Sequence, residues 1–184
     1  LRGLPVTALI DFVHRHGGIL GPAHPCGEKY LSFTNTKKYY KAPEIMKRFD
    51  FIEAFNACES EESNECAMKL AKKYKKPGIG GSDAHKIECV SMGYTELPEY
   101  VTCETELISL IRRKVPIQAG GTLYGKTTRE KMGKAGKILT YSFWFYNKGG
   151  ELLRRRKRKV KGEVENPPSP IDPIEIPYLQ KHQQ

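Results

Sequence analysis

An α/β architecture follows from three features of the sequence. Segments with helical periodicity alternate with short apolar stretches, those stretches do not alternate polar with apolar, and glycine or proline marks the changes between them. Continuous apolar strands suit a sheet covered on both faces, so a parallel sheet or barrel is expected. In such folds ligands gather at the C-terminal ends of the strands.

The elements can be justified in order. Val6, Leu9, Ile10 and Val13 form the i, i+3, i+4, i+7 stripe of an amphipathic helix, ended by Gly17 and Gly18. Ile19-Leu20-Gly21-Pro22-Ala23 reads as a buried strand that stops at His24-Pro25. Cys26 to Lys41 is polar and aromatic with turn-forming Ser, Thr and Asn, a long loop over one end of the domain, and a helix is expected around Pro43–Arg48. Phe51 to Asn56 reads as a second buried strand. Ser63 is expected to cap a helix that buries Cys66, Ala67, Leu70, Ala71 and Tyr74 and that Pro77 and Gly78 stop. Ile79-Gly80-Gly81-Ser82-Asp83 is a third short strand running into a loop. A last helix over Glu104–Arg113 should bury Leu107, Ile108, Leu110 and Ile111.

The style then changes. Residues 116–150 are rich in Gly and Lys and include one aromatic strand over Ile138–Tyr146, and residues 151–184 form a basic then proline-rich tail. The net charge of +10 is placed unevenly. Residues 1–111 carry 14 basic and 15 acidic side chains, 112–161 carry 16 and 2, and 162–184 carry 1 and 4, so the basic character belongs to one segment. No stretch approaches the roughly 18 apolar residues of a membrane span and no signal peptide opens the chain, so no membrane partner is expected. Five cysteines, an odd number with no CxxC pair, argue against a disulfide framework and for reduced thiols in a cytoplasmic protein.

Candidate chemistry starts at Asp83-Ala84-His85. In extended backbone, residues two apart face the same side, so a carboxylate and an imidazole can point at one ion. Oxygen and nitrogen donors together suit Zn, Mn or Fe. Gly80 and Gly81 let the backbone turn closely beneath that ion. His24, at the end of another apolar strand, is the third candidate donor.

Gly18-Ile19 through Ala23-His24-Pro25, then Ile52-Glu53-Ala54-Phe55-Asn56, then Gly80-Gly81-Ser82-Asp83-Ala84-His85 and Met92-Gly93 resemble, in order and spacing, the later motifs of the polymerase-and-histidinol-phosphatase (PHP) superfamily. The resemblance covers about residues 6–113. It implies the second half of a distorted (β/α)7 barrel, here residues 1–115, whose strand ends hold up to three divalent metals that activate water against phosphate esters. It implies His24, Asp83 and His85 as metal ligands, with Glu53, Asn56, Gly81 and Ser82 as scaffold or supporting residues. The implied substrate is a phosphate ester, a nucleotide or nucleic acid among the choices.

The family's opening His-x-His and its other upstream ligands are missing here. His14-Arg15-His16 copies the letters, but it lies on a helix, where residues two apart diverge by about 200°. The chain, which opens at Leu1, is therefore expected to be a fragment, inactive alone, whose partner is the N-terminal half of the barrel. A reading from another class makes it an inactive remnant that binds nucleic acid through Arg154, Arg155, Arg156, Lys157, Arg158 and Lys159, because clustered cations release counterions from phosphates. Tyr141, Phe143, Trp144, Phe145 and Tyr146 would then stack on bases.

Overall fold

A computed structural model describes residues 4–27 and 32–124, with individual positions between 138 and 153. The chain divides into two compact units, residues 6–137 and residues 1–5 with 138–184. The basic run 154–161 and the proline-rich tail lie outside the described residues, as does Trp144.

The larger unit is mixed α/β. Helix α1 (Val6–Arg15) buries Ile10 from its apolar stripe. The region expected to be one long loop contains a 3-10 turn at Phe33–Asn35 and a short helix α2 (Lys37–Lys41), started by Thr36, whose side chain accepts from the Tyr39 amide. A 3-10 segment, Pro43–Arg48, then buries Ile45 and Met46. Strand β1 (Ile52–Asn56) pairs in parallel with β2 (Gly78–Gly81), and the helix α3 (Glu61–Tyr74) between them packs Leu70, Ala71 and Tyr74 onto a core with Ile52 and Ala54. This strand–helix–strand unit is the α/β element the sequence predicts.

Four expectations are corrected. Ile19–Ala23 forms no regular strand. It is tied to the chain at β1 by the Asp50 amide on the Leu20 carbonyl (2.9 Å), the Leu20 amide on the Asp50 carboxylate (2.9 Å) and the Glu53 amide on the Pro22 carbonyl (3.4 Å), and Pro22 has no N–H to continue a ladder. Ser60, not Ser63, caps α3, its hydroxyl accepting from the Ser63 amide at 3.2 Å; the earlier start places Glu61 and Glu62 at the positive end of the helix dipole. Cys66 is exposed and bonded to Cys26 across 40 residues of sequence, so these two cysteines are not the reduced thiols expected. A closed loop of that length stabilises by about 2–4 kcal/mol. Finally, Ile138, Leu139, Tyr141–Phe143, Phe145 and Tyr146 are helical rather than a strand, with their large apolar side chains exposed, so the β-preference of the aromatics does not decide the local structure.

Two further strands, β3 (Gly93–Glu96) and β4 (Gln118–Gly121), pair antiparallel around helix α4 (Glu104–Arg113). Neither strand was expected from the sequence, where residues 116–150 read as a Gly/Lys-rich segment with its one strand further on. Within α4, Leu110 and Ile111 are buried, while Leu107 lies at the edge of the apolar face and is exposed. The described strands make two two-stranded sheets and no closed barrel. Closure needs each edge to find another strand, and four short strands cannot supply a ring.

Asn64, in the first turns of α3, finishes β1. Its side-chain oxygen accepts from the Asn56 amide at 2.8 Å and its nitrogen donates to the Asn56 carbonyl at 3.0 Å, both groups buried. Asn64→Ala takes the partner from the buried Asn56 N–H, while the Asn56 carbonyl keeps the Glu59 amide at 3.2 Å; it is expected to destabilise the chain by about 1–3 kcal/mol in urea unfolding.

Candidate metal centre

The candidate donors sit where β1, β2 and the stretch before β1 end. His24 lies just past the Ile19–Ala23 run in a left-handed backbone conformation (φ +28°), closed by the Gly27 amide donating to its carbonyl at 2.9 Å. A non-glycine residue held there costs of order 1 kcal/mol, so the surroundings must enforce it. The Glu53 carboxylate does so from β1. Its Oε2 accepts the His24 amide at 2.5 Å and the Asn56 side-chain amide at 3.1 Å. Asn56 in turn accepts the Cys58 amide on its side-chain oxygen at 2.9 Å, holding the turn that leaves β1.

Glu53 also meets the next strand. A Cβ added at Gly81 would lie 2.2 Å from Glu53 Oε1, and one at Gly80 would lie 2.1 Å from the Tyr94 carbonyl oxygen. The two glycines thus let β2 pass between the Glu53 carboxylate and β3. The Thr95 hydroxyl bridges the remaining gap, accepting from the Gly80 amide at 2.9 Å and lying 3.1 Å from its carbonyl.

Beyond β2, Asp83 is also left-handed (φ +46°) and its side chain is partly buried. His85 is three-quarters exposed, and its Nδ1 lies 2.9 Å from the Asp83 carbonyl and 3.9 Å from the Asp83 carboxylate. The pair therefore shares one loop, while the imidazole turns outward. His24 differs: its Nδ1 is buried and has no hydrogen-bond partner among the described residues. An orphaned buried nitrogen of this kind asks for a proton acceptor or a cation. In donor type, His24, Asp83 and His85 fit a divalent metal. In grouping, no set of three or more His, Cys, Asp or Glu side chains among the described residues is gathered to hold one ion. The helix-borne histidines behave as surface residues: His14 lies 2.9 Å from the Asp50 carboxylate and His16 stacks on Phe12.

Tyr124 is the residue that sequence reasoning passed over. Its amide donates to the Ala57 carbonyl at 2.8 Å, just past β1, and its hydroxyl donates to the Ser82 carbonyl and lies 3.2 Å from the Cys89 carbonyl. Burial first, then hydrogen bonding and charge at Cys89, with Cys58 and Asp83 adding, push its phenol up to about 12. No motif flags a lone tyrosine after a glycine pair.

Residues 61–116 match the PHP-associated family model. The match spans α3 to just beyond α4, including Asp83 and His85; His24, Glu53, Asn56 and Tyr124 lie outside it. No curated protein and no solved structure matches the chain. Among the described residues, no helix is long and apolar enough to cross a membrane.

Two outcomes follow from this geometry. Gly81→Ala drives a methyl group into Glu53 and is expected to cost about 1–3 kcal/mol in urea unfolding. Because Tyr124 ionises later in the folded chain than the ordinary value of about 10, unfolding releases a proton in alkali. Stability is therefore full below pH ~10 and falls as pH rises towards 12. Tyr124→Phe should flatten that fall, leaving a weaker one from Tyr74, whose phenol burial also raises.

Proposed function

We propose that this chain is the later half of a PHP-type barrel that hydrolyses phosphate esters with divalent metal ions, a reading that the match of residues 61–116 to the PHP-associated family model supports. His24, Asp83 and His85 are its metal donors. The ion, Zn, Mn or Fe by donor type, supplies Lewis acidity and charge neutralisation when bound. The N-terminal half of the barrel is the partner that completes the donor set, and the substrate is a phosphate ester, with nucleotides and nucleic acids in that class.

The chain's own residues have separable tasks. Glu53 accepts the His24 amide and so holds the imidazole's backbone in its left-handed turn. Asn56 orients Glu53 and closes the turn after β1. Gly81 admits the Glu53 carboxylate beside β2, and Ser82 leads into Asp83. The observation that carries most weight is the buried Nδ1 of His24, which has no partner among the described residues, since a side chain used only for packing would leave such a nitrogen in water or bonded.

Titration of the purified chain with Mn²⁺, followed by electron paramagnetic resonance, tests this. Weak uptake is expected, reduced about tenfold or more by His24→Ala or Asp83→Ala, a loss of roughly 1.4 kcal/mol or more in binding. Hydrolysis of bis(p-nitrophenyl) phosphate by the chain alone should stay near background. Uptake indifferent to both substitutions sinks the donor assignment, and brisk metal-dependent turnover lost in both variants sinks the half-site reading. If no metal binds, yet single-stranded RNA does with a steep salt dependence that survives both substitutions, the chain is instead a binding module using Arg154–Lys159.

A further inference from the structure

The loop from Ser82 to Cys89 carries both Asp83 and His85, yet little within it fixes its shape. Its internal backbone bonds are the Cys89 amide on the Lys86 carbonyl (3.1 Å) and, at its exit, the Val90 amide on Ile87 (3.1 Å) and the Met92 amide on Cys89 (3.3 Å). These define the 3-10 turn Ile87–Cys89 and the bend after it, leaving the stretch that holds Asp83 and His85 without such a tie. Among the described residues, the His85 ring bonds back to the Asp83 carbonyl. Asp83 meanwhile holds a left-handed conformation that a non-glycine residue leaves readily unless restrained.

We propose that Tyr124 is the positioning residue for this loop, clipping its two ends with one hydroxyl and so setting the direction in which Asp83 and His85 project. That these two side chains are metal donors rests on the function proposed above; the clip does not.

Three observations carry the inference. The hydroxyl reaches carbonyls seven residues apart, Ser82 at the loop's start and Cys89 at its end. A phenol has one proton, so it donates chiefly to Ser82 and only shares with the more distant Cys89. Second, the Ser82 carbonyl belongs to the same peptide plane as the Asp83 amide, because the peptide unit is rigid. Fixing that oxygen orients the plane and therefore restrains φ at Asp83, the torsion that is left-handed. Third, Tyr124 is itself anchored. Its amide donates to Ala57, whose own amide donates to the Gly81 carbonyl at 3.0 Å, and Thr122 donates to Met92 at 2.7 Å. The exit of β1, the exit of β2 and both ends of the loop thus converge on residues 122–124. Removing one oxygen atom loosens the loop without removing the strands.

The test uses the full chain and its Tyr124→Phe variant, with amide hydrogen exchange read residue by residue in the absence of metal. The hydrogen-bonded amides at the loop's exit, Cys89, Val90 and Met92, are expected to exchange about five- to tenfold faster in the variant, the effect of losing one ordinary hydrogen bond, while those of β1 and α3 stay unchanged. Exchange of these three amides within twofold of the parent chain overturns the clip. Mn²⁺ titration is the second readout, and weakening by a similar factor supports positioning of donors. Faster exchange with unaltered Mn²⁺ affinity overturns that positioning. Faster exchange in a chain whose parent takes up no Mn²⁺ upholds the clip and brings down only the metal reading. Should the variant not fold, the unmodified chain still decides: a nuclear Overhauser contact between the Tyr124 ring and the Asp83 amide is expected, and its absence overturns the proposal.

Discussion

Parallel pairing of Ile52–Asn56 with Gly78–Gly81 sets the position of nearly everything else described. A parallel pair needs a crossover, and α3 supplies it, packing Leu70, Ala71 and Tyr74 over the sheet. The same pairing brings two strand exits side by side, with Asn56 opposite Gly81 in register. Residues distant in sequence become neighbours because their strands run side by side, as Glu53 and Gly81 do. Had β2 carried side chains larger than hydrogen at Gly80 and Gly81, neither Glu53 nor the Tyr94 backbone could approach as closely.

Around this pair the polar groups form a chain of mutual restraint. Asn64 completes the end of β1, Asn56 orients Glu53, and Glu53 holds the His24 amide. Each link satisfies a buried or half-buried donor or acceptor that would otherwise be costly. His24 Nδ1 is the exception, a buried nitrogen left without a partner among the described residues. A buried side-chain nitrogen of this kind differs from ordinary packing, where the side chain would be turned to reach water. Local strain points the same way, since His24 and Asp83 both hold left-handed conformations.

The two candidate donor regions are held with unequal firmness. His24 is fixed by Glu53 and by the bond from Cys26, two residues on, to Cys66 of α3. The Asp83–His85 loop projects further, with His85 largely in solvent, and is tied at its ends rather than along its length. A rigid donor with a looser pair suits a site that further residues complete, because the loop can adjust when they arrive.

Much of this was readable in the order of residues. The stripe Val6, Leu9, Ile10, Val13, the apolar run at Ile52 and the Leu70–Tyr74 face announce helix, strand and helix, because burial imposes a period on local sequence. His24, Asp83 and His85 stand out only as candidate donors, by donor chemistry and by their places after apolar runs. What the sequence could not reveal depends on partners far along the chain. Pro22 denies the 19–23 run a regular ladder only because its neighbour is β1; Cys26 meets Cys66 only once α3 folds back; and Gly120-Gly121, in a stretch read only as rich in Gly and Lys, becomes a strand by pairing with β3. Tyr124 gained its role in the same way, from carbonyls more than thirty residues upstream. Local periodicity determined which segments would be helix or strand; only the tertiary structure decided which polar atoms meet, since hydrogen bonds depend on distance in space and not on separation in sequence.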